Sequence, residues 1–115
     1  MEKIVPICRN NDFRRIYSRG KSYVTPVVVV YVMKNRTKNV RVGITTSKKI
    51  GNAVARNRSR RVIREAYRGL MSRVKPGFDL VLVARGRTPH VKSTEVARHL
   101  ERQLSAAGLL REDKS

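Results

Sequence analysis

The chain has 115 residues, the size of one ordinary domain with a modest core. Lys and Arg number 27 against 8 Asp and Glu, a formal charge of +19 that a folded domain carries more easily beside a polyanion, so nucleic acid is the first partner to test. A hydrophobic content of 40% excludes a disordered basic tail, and the longest apolar run, Val27 to Met33, is far shorter than the roughly 18 residues a spanning helix needs.

The single cysteine, Cys8, has no partner for an internal disulfide and no clustered His or Cys for zinc, which fits a reducing cytoplasm. Met1 to Asn10 lacks the apolar stretch of a signal peptide, so a soluble, intracellular protein is expected. The most basic helix has no Trp or Phe on its apolar side, which argues against a membrane surface as partner. No obligate protein partner is evident.

In chain order, Asn11 is placed to cap a short helix through Asp12, Phe13, Ile16 and Tyr17 that stops near Gly20, with Phe13 and Tyr17 sharing a face at i, i+4. The β-branched density from Tyr23 to Met33 predicts a strand, with Pro26 marking an edge or the approach to regular pairing. Asn35 to Asn39 reads as a turn. Val40, Val42 and Ile44 then alternate with Arg41, Gly43 and Thr45, the period of a half-buried strand, expected to pair antiparallel with the first as a hairpin.

A helix is predicted over Asn52 to Leu70, because Ala55, Ser59, Val62, Ala66 and Leu70 recur at helical spacing and Ile63 widens the stripe. Phe78 to Ala84 is apolar on both faces, the pattern of a strand covered on two sides and central in its sheet. A last helix, capped by Ser93 or Thr94, buries Val96, Leu100, Leu104 and Ala107 before Gly108. The order α, β, β, α, β, α indicates an α+β fold over residues 1–115, a single-domain sandwich of helices on a small sheet. Internal repeats and linkers are absent.

The chemistry concentrates in Lys48-Lys49-Ile50-Gly51-Asn52 and the run Arg56-Asn57-Arg58-Ser59-Arg60-Arg61-Val62-Ile63-Arg64. At 100° per residue, Asn57, Arg60, Arg61, Arg64 and Arg68 fall on one side, opposite the apolar stripe, with Arg56 and Arg58 flanking them. Guanidinium forks suit bidentate phosphate contacts, and the helix start beside Lys48 and Lys49 adds free backbone N–H groups. Charge runs are usually solvated helix faces. This one has a single sign, and like charges at i, i+4 cost helix stability, a penalty that a polyanionic ligand explains.

Composition does not choose between DNA and RNA. The basic helix lies between strands rather than closing a helix-turn-helix, and no zinc-finger or zipper pattern is present. Single-stranded RNA needs stacking platforms, and with only six aromatic residues Phe13 and Tyr17 are the candidates, against an alternative role in the core.

Asp12-Phe13 with Tyr17 and Gly20, the strand Val40-Arg41-Val42-Gly43-Ile44, Ser47-Lys48-Lys49-Ile50-Gly51-Asn52-Ala53-Val54, and Arg56-Asn57-Arg58 with Arg60, Arg61 and Arg64 together resemble the bacterial ribonuclease P protein subunit. The likeness runs from about Asn11 to Leu104. It implies a left-handed crossover through strand 40 to 46, helix 52 to 70 and strand 78 to 84, where general physics favours the right-handed connection. It also implies a protein that binds a large catalytic RNA and helps it remove the 5′ leader of precursor tRNA, with magnesium held mainly by the RNA and no catalytic residue in the protein.

Carried over residue by residue, the resemblance places Lys48, Lys49, Asn52, Arg56, Asn57, Arg58, Arg60, Arg61, Arg64 and Arg68 toward the catalytic RNA and its phosphates. Phe13, Tyr17, Val29 and Tyr31 match the leader-binding cleft. Some family members add an aromatic near the C-terminus, which Ala106 to Ser115 lacks. Two rivals stand beside this reading. A protein nuclease would need converging carboxylates, yet the acids are scattered, only Glu112 and Asp113 adjoin, in the tail, and His90 and His99 stand alone. A structural RNA-binding protein of the ribosomal type fits the composition equally well and is disfavoured only by the motif.

Overall fold

The computed structural model describes residues 4–111. The adjacent Glu112 and Asp113 lie outside them. The described chain forms one five-stranded mixed sheet and three α-helices: β1 (Val5–Pro6), α1 (Asn10–Arg19), β2 (Lys21–Val24), β3 (Val28–Lys34), β4 (Arg41–Thr45), α2 (Ala53–Arg68), β5 (Phe78–Ala84) and α3 (Ser93–Ala106). The strands lie side by side in the order β1-β4-β5-β3-β2.

The α+β layering expected from the sequence is present, and β5 is central. Its run of apolar residues needs cover on both faces, and it receives parallel β4 on one side and antiparallel β3 on the other. This overturns the expected hairpin, because β3 and β4 are not neighbours and β5 fills the space between them. Alternation reports which face of a strand is buried and carries no information about its partner.

The long strand expected from Tyr23 to Met33 is two strands. The chain reverses at Thr25-Pro26, where the Thr25 hydroxyl accepts from the N–H groups of Val27 and Val28, and β2 folds back antiparallel on β3. Gln103 of α3 fastens this hairpin from below, donating to the carbonyls of Tyr23 and Val28 at 2.8 and 2.9 Å. Two caps also differ from expectation. α1 begins two residues earlier, after Arg9 rather than Asn11, and α3 follows Lys92, neither with a side-chain cap. Asn52 does cap α2, accepting from the Ala55 N–H at 3.0 Å.

The sheet separates two unequal cores. On one face Val28, Val30, Val42, Leu80 and Leu82 pack against Val62, Ile63, Ala66 and Tyr67 of α2 and Val96, Leu100 and Leu104 of α3. On the other, α1 rests on a smaller cluster of Ile7, Ile16 and Val81 with Phe13, Tyr31, Met33 and Val83 partly buried around it. The segment after α3 closes the larger core, since Leu109 is buried and Val74 bridges Leu110.

Candidate nucleic-acid interface

The arginine helix is set in place by its apolar stripe. Ser59, Val62, Ile63, Ala66 and Tyr67 are buried, so the opposite side, with Asn57, Arg61, Arg64 and Arg68 exposed and Arg60 partly so, faces outward. From Arg56 to Arg68 the ridge runs about 18 Å at 1.5 Å per residue. Described acidic side chains do little to neutralise it: Glu65 is the one acid on α2 and forms no ion pair among the described residues, and Asp12, Asp79 and Glu101 pair with Arg15, Arg41 and Arg73, none of them on α2.

The flanking arginines differ from the ridge. Arg58 Nε donates to the Pro89 carbonyl at 2.6 Å, tying α2 to the 88–90 turn. Arg56 Nη1 donates to the Gly51 carbonyl at 3.2 Å, closing the turn that leads into the helix. That turn, Lys48–Ile50, leaves Lys48 and Lys49 exposed, and Gly51 follows at φ 137°, a backbone shape that disfavours any residue with a Cβ. Asn52 is therefore a structural cap as well as a neighbour of the lysines.

On the α1 face the four aromatic-cleft candidates divide. Tyr17 is 41% exposed, meets Tyr31 edge to face with ring centroids 4.9 Å apart, and its hydroxyl lies 3.2 Å from Thr45 Oγ1. Val29 lies two residues before Tyr31 on the same face of β3 and is half-buried like it. Phe13 instead lies on Gly43, where a Cβ would come within 2.5 Å of its ring. The pair thus differs in packing: Phe13 is partly built into the small core, whereas the Tyr17 ring is open.

A charge network that spacing along the chain does not reveal holds α1 there. Asp79, buried in β5, accepts from Arg41 Nε and Nη2 at 2.8 and 2.6 Å and from Asn35 Nδ2 at 2.8 Å. Arg41 Nη1 also reaches Asp12, in the first turn of α1, at 3.6 Å. Burial lifts the Asp79 carboxyl, but the Arg41 and Asn35 hydrogen bonds outweigh it and hold the group below its ordinary value. Arg41 is raised in turn, first by its hydrogen bond to Asp79. The one signal in the sequence is a lone carboxylate inside the apolar run Phe78 to Ala84, which demands a buried partner.

A cleft of about 990 Å³ joins the two faces at the β4 edge. Ile4, Ile7, Phe13, Val42 and Ile44 give it an apolar floor, and Arg60, Arg64 and Arg68 form one wall. Among the described residues no three His, Cys, Asp or Glu side chains are grouped to hold a metal ion.

Residues 1–108 match the family model described as Ribonuclease P. The chain is 45% identical over 112 residues to the ribonuclease P protein component of Clostridium novyi, covering 95% of this chain and 98% of that one. It is 47% identical over 78 residues to that of Clostridioides difficile, 67% of this chain and 68% of the other. Among solved structures, the Staphylococcus aureus RNase P protein superposes with a TM-score of 0.82 at 34% identity, over 95% of this chain and all of that one. The RNase P protein from Thermotoga maritima gives 0.78 at 30% identity, over 88% and 96%. With its five-stranded sheet, its three helices and the sequence motif on one continuous likeness, the chain belongs to the ribonuclease P protein family.

Proposed function

We propose that the chain is the protein component of ribonuclease P, which binds the catalytic RNA and the 5′ leader of precursor tRNA and promotes removal of that leader. Family membership carries the reading, and the outward-facing, single-signed α2 ridge is the feature of this chain that supports it. The ridge arginines Arg60, Arg61, Arg64 and Arg68, with Asn57, Lys48 and Lys49, take phosphates of the catalytic RNA, while Arg56, Arg58 and Asn52 shape that surface as well as adding charge. Tyr17, with Tyr31 and Val29, stacks leader bases, and Phe13 sets the position of α1 beside them.

In this reading hydrolysis belongs to the RNA, magnesium is bound mainly there, and the protein supplies electrostatic and stacking contacts. No described helix is long and apolar enough to cross a membrane, and the reading places the protein in the cytoplasm with its RNA. The test is cleavage of precursor tRNA. The purified chain alone is expected to cleave nothing, and adding a bacterial ribonuclease P RNA with magnesium is expected to restore 5′ maturation. Turnover by the protein alone, persisting after removal of contaminating nuclease, contradicts the reading.

A further inference from the structure

Cationic charge is not confined to the α2 ridge. Between Arg9 and Lys21 five cations, Arg9, Arg14, Arg15, Arg19 and Lys21, stand against one acid, Asp12, much as the six arginines of α2 stand against Glu65. α3 is balanced, with Arg98 and Arg102 against Glu95 and Glu101. The five cations around α1 are all exposed. Asp12 is 12% exposed and is shared between Arg15 and Arg41, so Arg9, Arg14, Arg19 and Lys21 have no ion-pair partner among the described residues.

This excess opposes the helix that carries it. Arg9 stands at the N-cap of α1, where the helix dipole repels a cation, and Arg15 and Arg19 repel each other at i, i+4. A polyanion offsets both. Apart from Tyr17, whose ring meets Tyr31, the exposed residues of α1 are polar: Asn10, Asn11, Arg14, Arg15, Ser18 and Arg19. A protein partner would need an apolar anchor at the centre of the surface, and a membrane would need apolar groups to insert. The phosphate backbone of RNA needs only the charges.

The α1 and α2 surfaces lie on opposite faces of the sheet, in a molecule measuring 36 by 36 by 26 Å. An RNA of about 20 nucleotides spans roughly 68 Å at about 3.4 Å each. Two such strands, one on each face, both project beyond the protein and can meet there.

We infer that the chain promotes annealing of complementary RNA strands, one held on the α2 ridge and the other on the outer side of α1. Two backbones that repel each other in solution are neutralised and kept within one molecular width, which raises the concentration of each strand near the other. Both contacts are to phosphate, so any complementary pair is accepted. The inference rests on the RNA-binding reading and adds to the ridge a second, separate backbone surface.

The experiment mixes two complementary RNAs of about 20 nucleotides, carrying donor and acceptor dyes, with the full chain and follows energy transfer. Anisotropy of one strand alone reports binding. The unmodified chain is expected to raise the annealing rate about tenfold for each of two unrelated sequence pairs. Arg14→Ala combined with Arg19→Ala is expected to remove most of that gain, while single-strand affinity falls by less than about threefold because the ridge is intact. Arg98→Ala combined with Arg102→Ala removes the same charge from α3 and is expected to keep the gain. Alanine is a strong helix former at exposed positions, so both variants are expected to fold, with melting temperature as the check. Equal losses in the two variants mean that total charge is what acts, and overturn the inference. A gain retained in the α1 variant also overturns it and leaves that surface to another acidic partner. So does an unmodified chain that binds single strands without accelerating annealing, an outcome that leaves the RNA-binding reading standing. Absent or salt-independent binding of single strands removes both.

Discussion

The two faces of the sheet are built differently. Under α2 and α3 the contact is aliphatic and closed, with Leu80, Leu82, Leu100 and Leu104 fully buried. Under α1 three buried residues, Ile7, Ile16 and Val81, are supplemented by half-buried aromatic rings and by the Asp12–Arg41–Asp79–Asn35 network. A closed aliphatic layer supplies stability without offering a surface. A thin layer held by directional charges keeps Tyr17 and Tyr31 accessible while fixing the helix that carries Tyr17. The division puts most of the stability under α2 and α3 and leaves an open aromatic surface under α1, and it can be broken at either.

The largest effect belongs to the closed face. Leu82→Ala leaves a cavity at a fully buried position and is expected to cost about 3 to 5 kcal/mol in urea unfolding. RNA affinity per folded molecule should be unchanged, and a matching fall in affinity would mean that the two faces are coupled.

Next comes the charge network. Asp79→Ala strands Arg41 without its main partner, and because Arg41 is partly exposed the expected loss is about 2 to 3 kcal/mol, at or just below the range of about 3 to 5 for a fully buried pair. The sign of the pH effect follows from the depressed Asp79 carboxyl. Its contribution is fully present above the unfolded value of about 4 and fades as pH falls through the lower folded value. The unmodified chain should therefore lose more stability than Asp79→Asn between pH 5 and strong acid, read from thermal unfolding across that range.

Smaller still is the effect at the aromatic pair, which sharpens the comparison inside the α1 face. Tyr17→Ala is expected to weaken binding of precursor tRNA by about 1 to 3 kcal/mol, leave mature tRNA almost unaffected, and barely change the melting temperature. Phe13→Ala should lower both affinity and melting temperature, because its ring is seated on Gly43. If the two variants behave alike, the division between open ring and packed ring is wrong.

How much of this was legible in the sequence depends on what each pattern encodes. The helix from Asn52 and its outward arginines followed from a 3.6-residue stripe anchored by Val62, Ile63 and Ala66, and the central place of β5 followed from apolar residues on both of its faces. β1 did not follow, because Val5–Pro6 is two residues long and contains a proline. The order of β3, β5 and β4 did not follow either, since strand partners are chosen by tertiary packing across 38 to 56 residues of chain. In the site, the arginine ridge and the aromatic candidates were legible from spacing and motif. The Arg58–Pro89 contact, the seat of Phe13 on Gly43 and the Asp79 network each join residues far apart in sequence, and only the unexplained carboxylate of Asp79 hinted at them.

The central claim is that the outward side of α2 holds RNA by its phosphates. It is tested most directly by the salt dependence of affinity for ribonuclease P RNA, measured for the unmodified chain and for Arg60→Ala combined with Arg64→Ala. The account predicts weaker binding and a slope of log affinity against log salt that flattens by about 0.7 to 0.9 for each phosphate no longer neutralised, with the melting temperature preserved. An unchanged slope in a folded double variant would mean that the ridge faces solvent in the complex, and would contradict it.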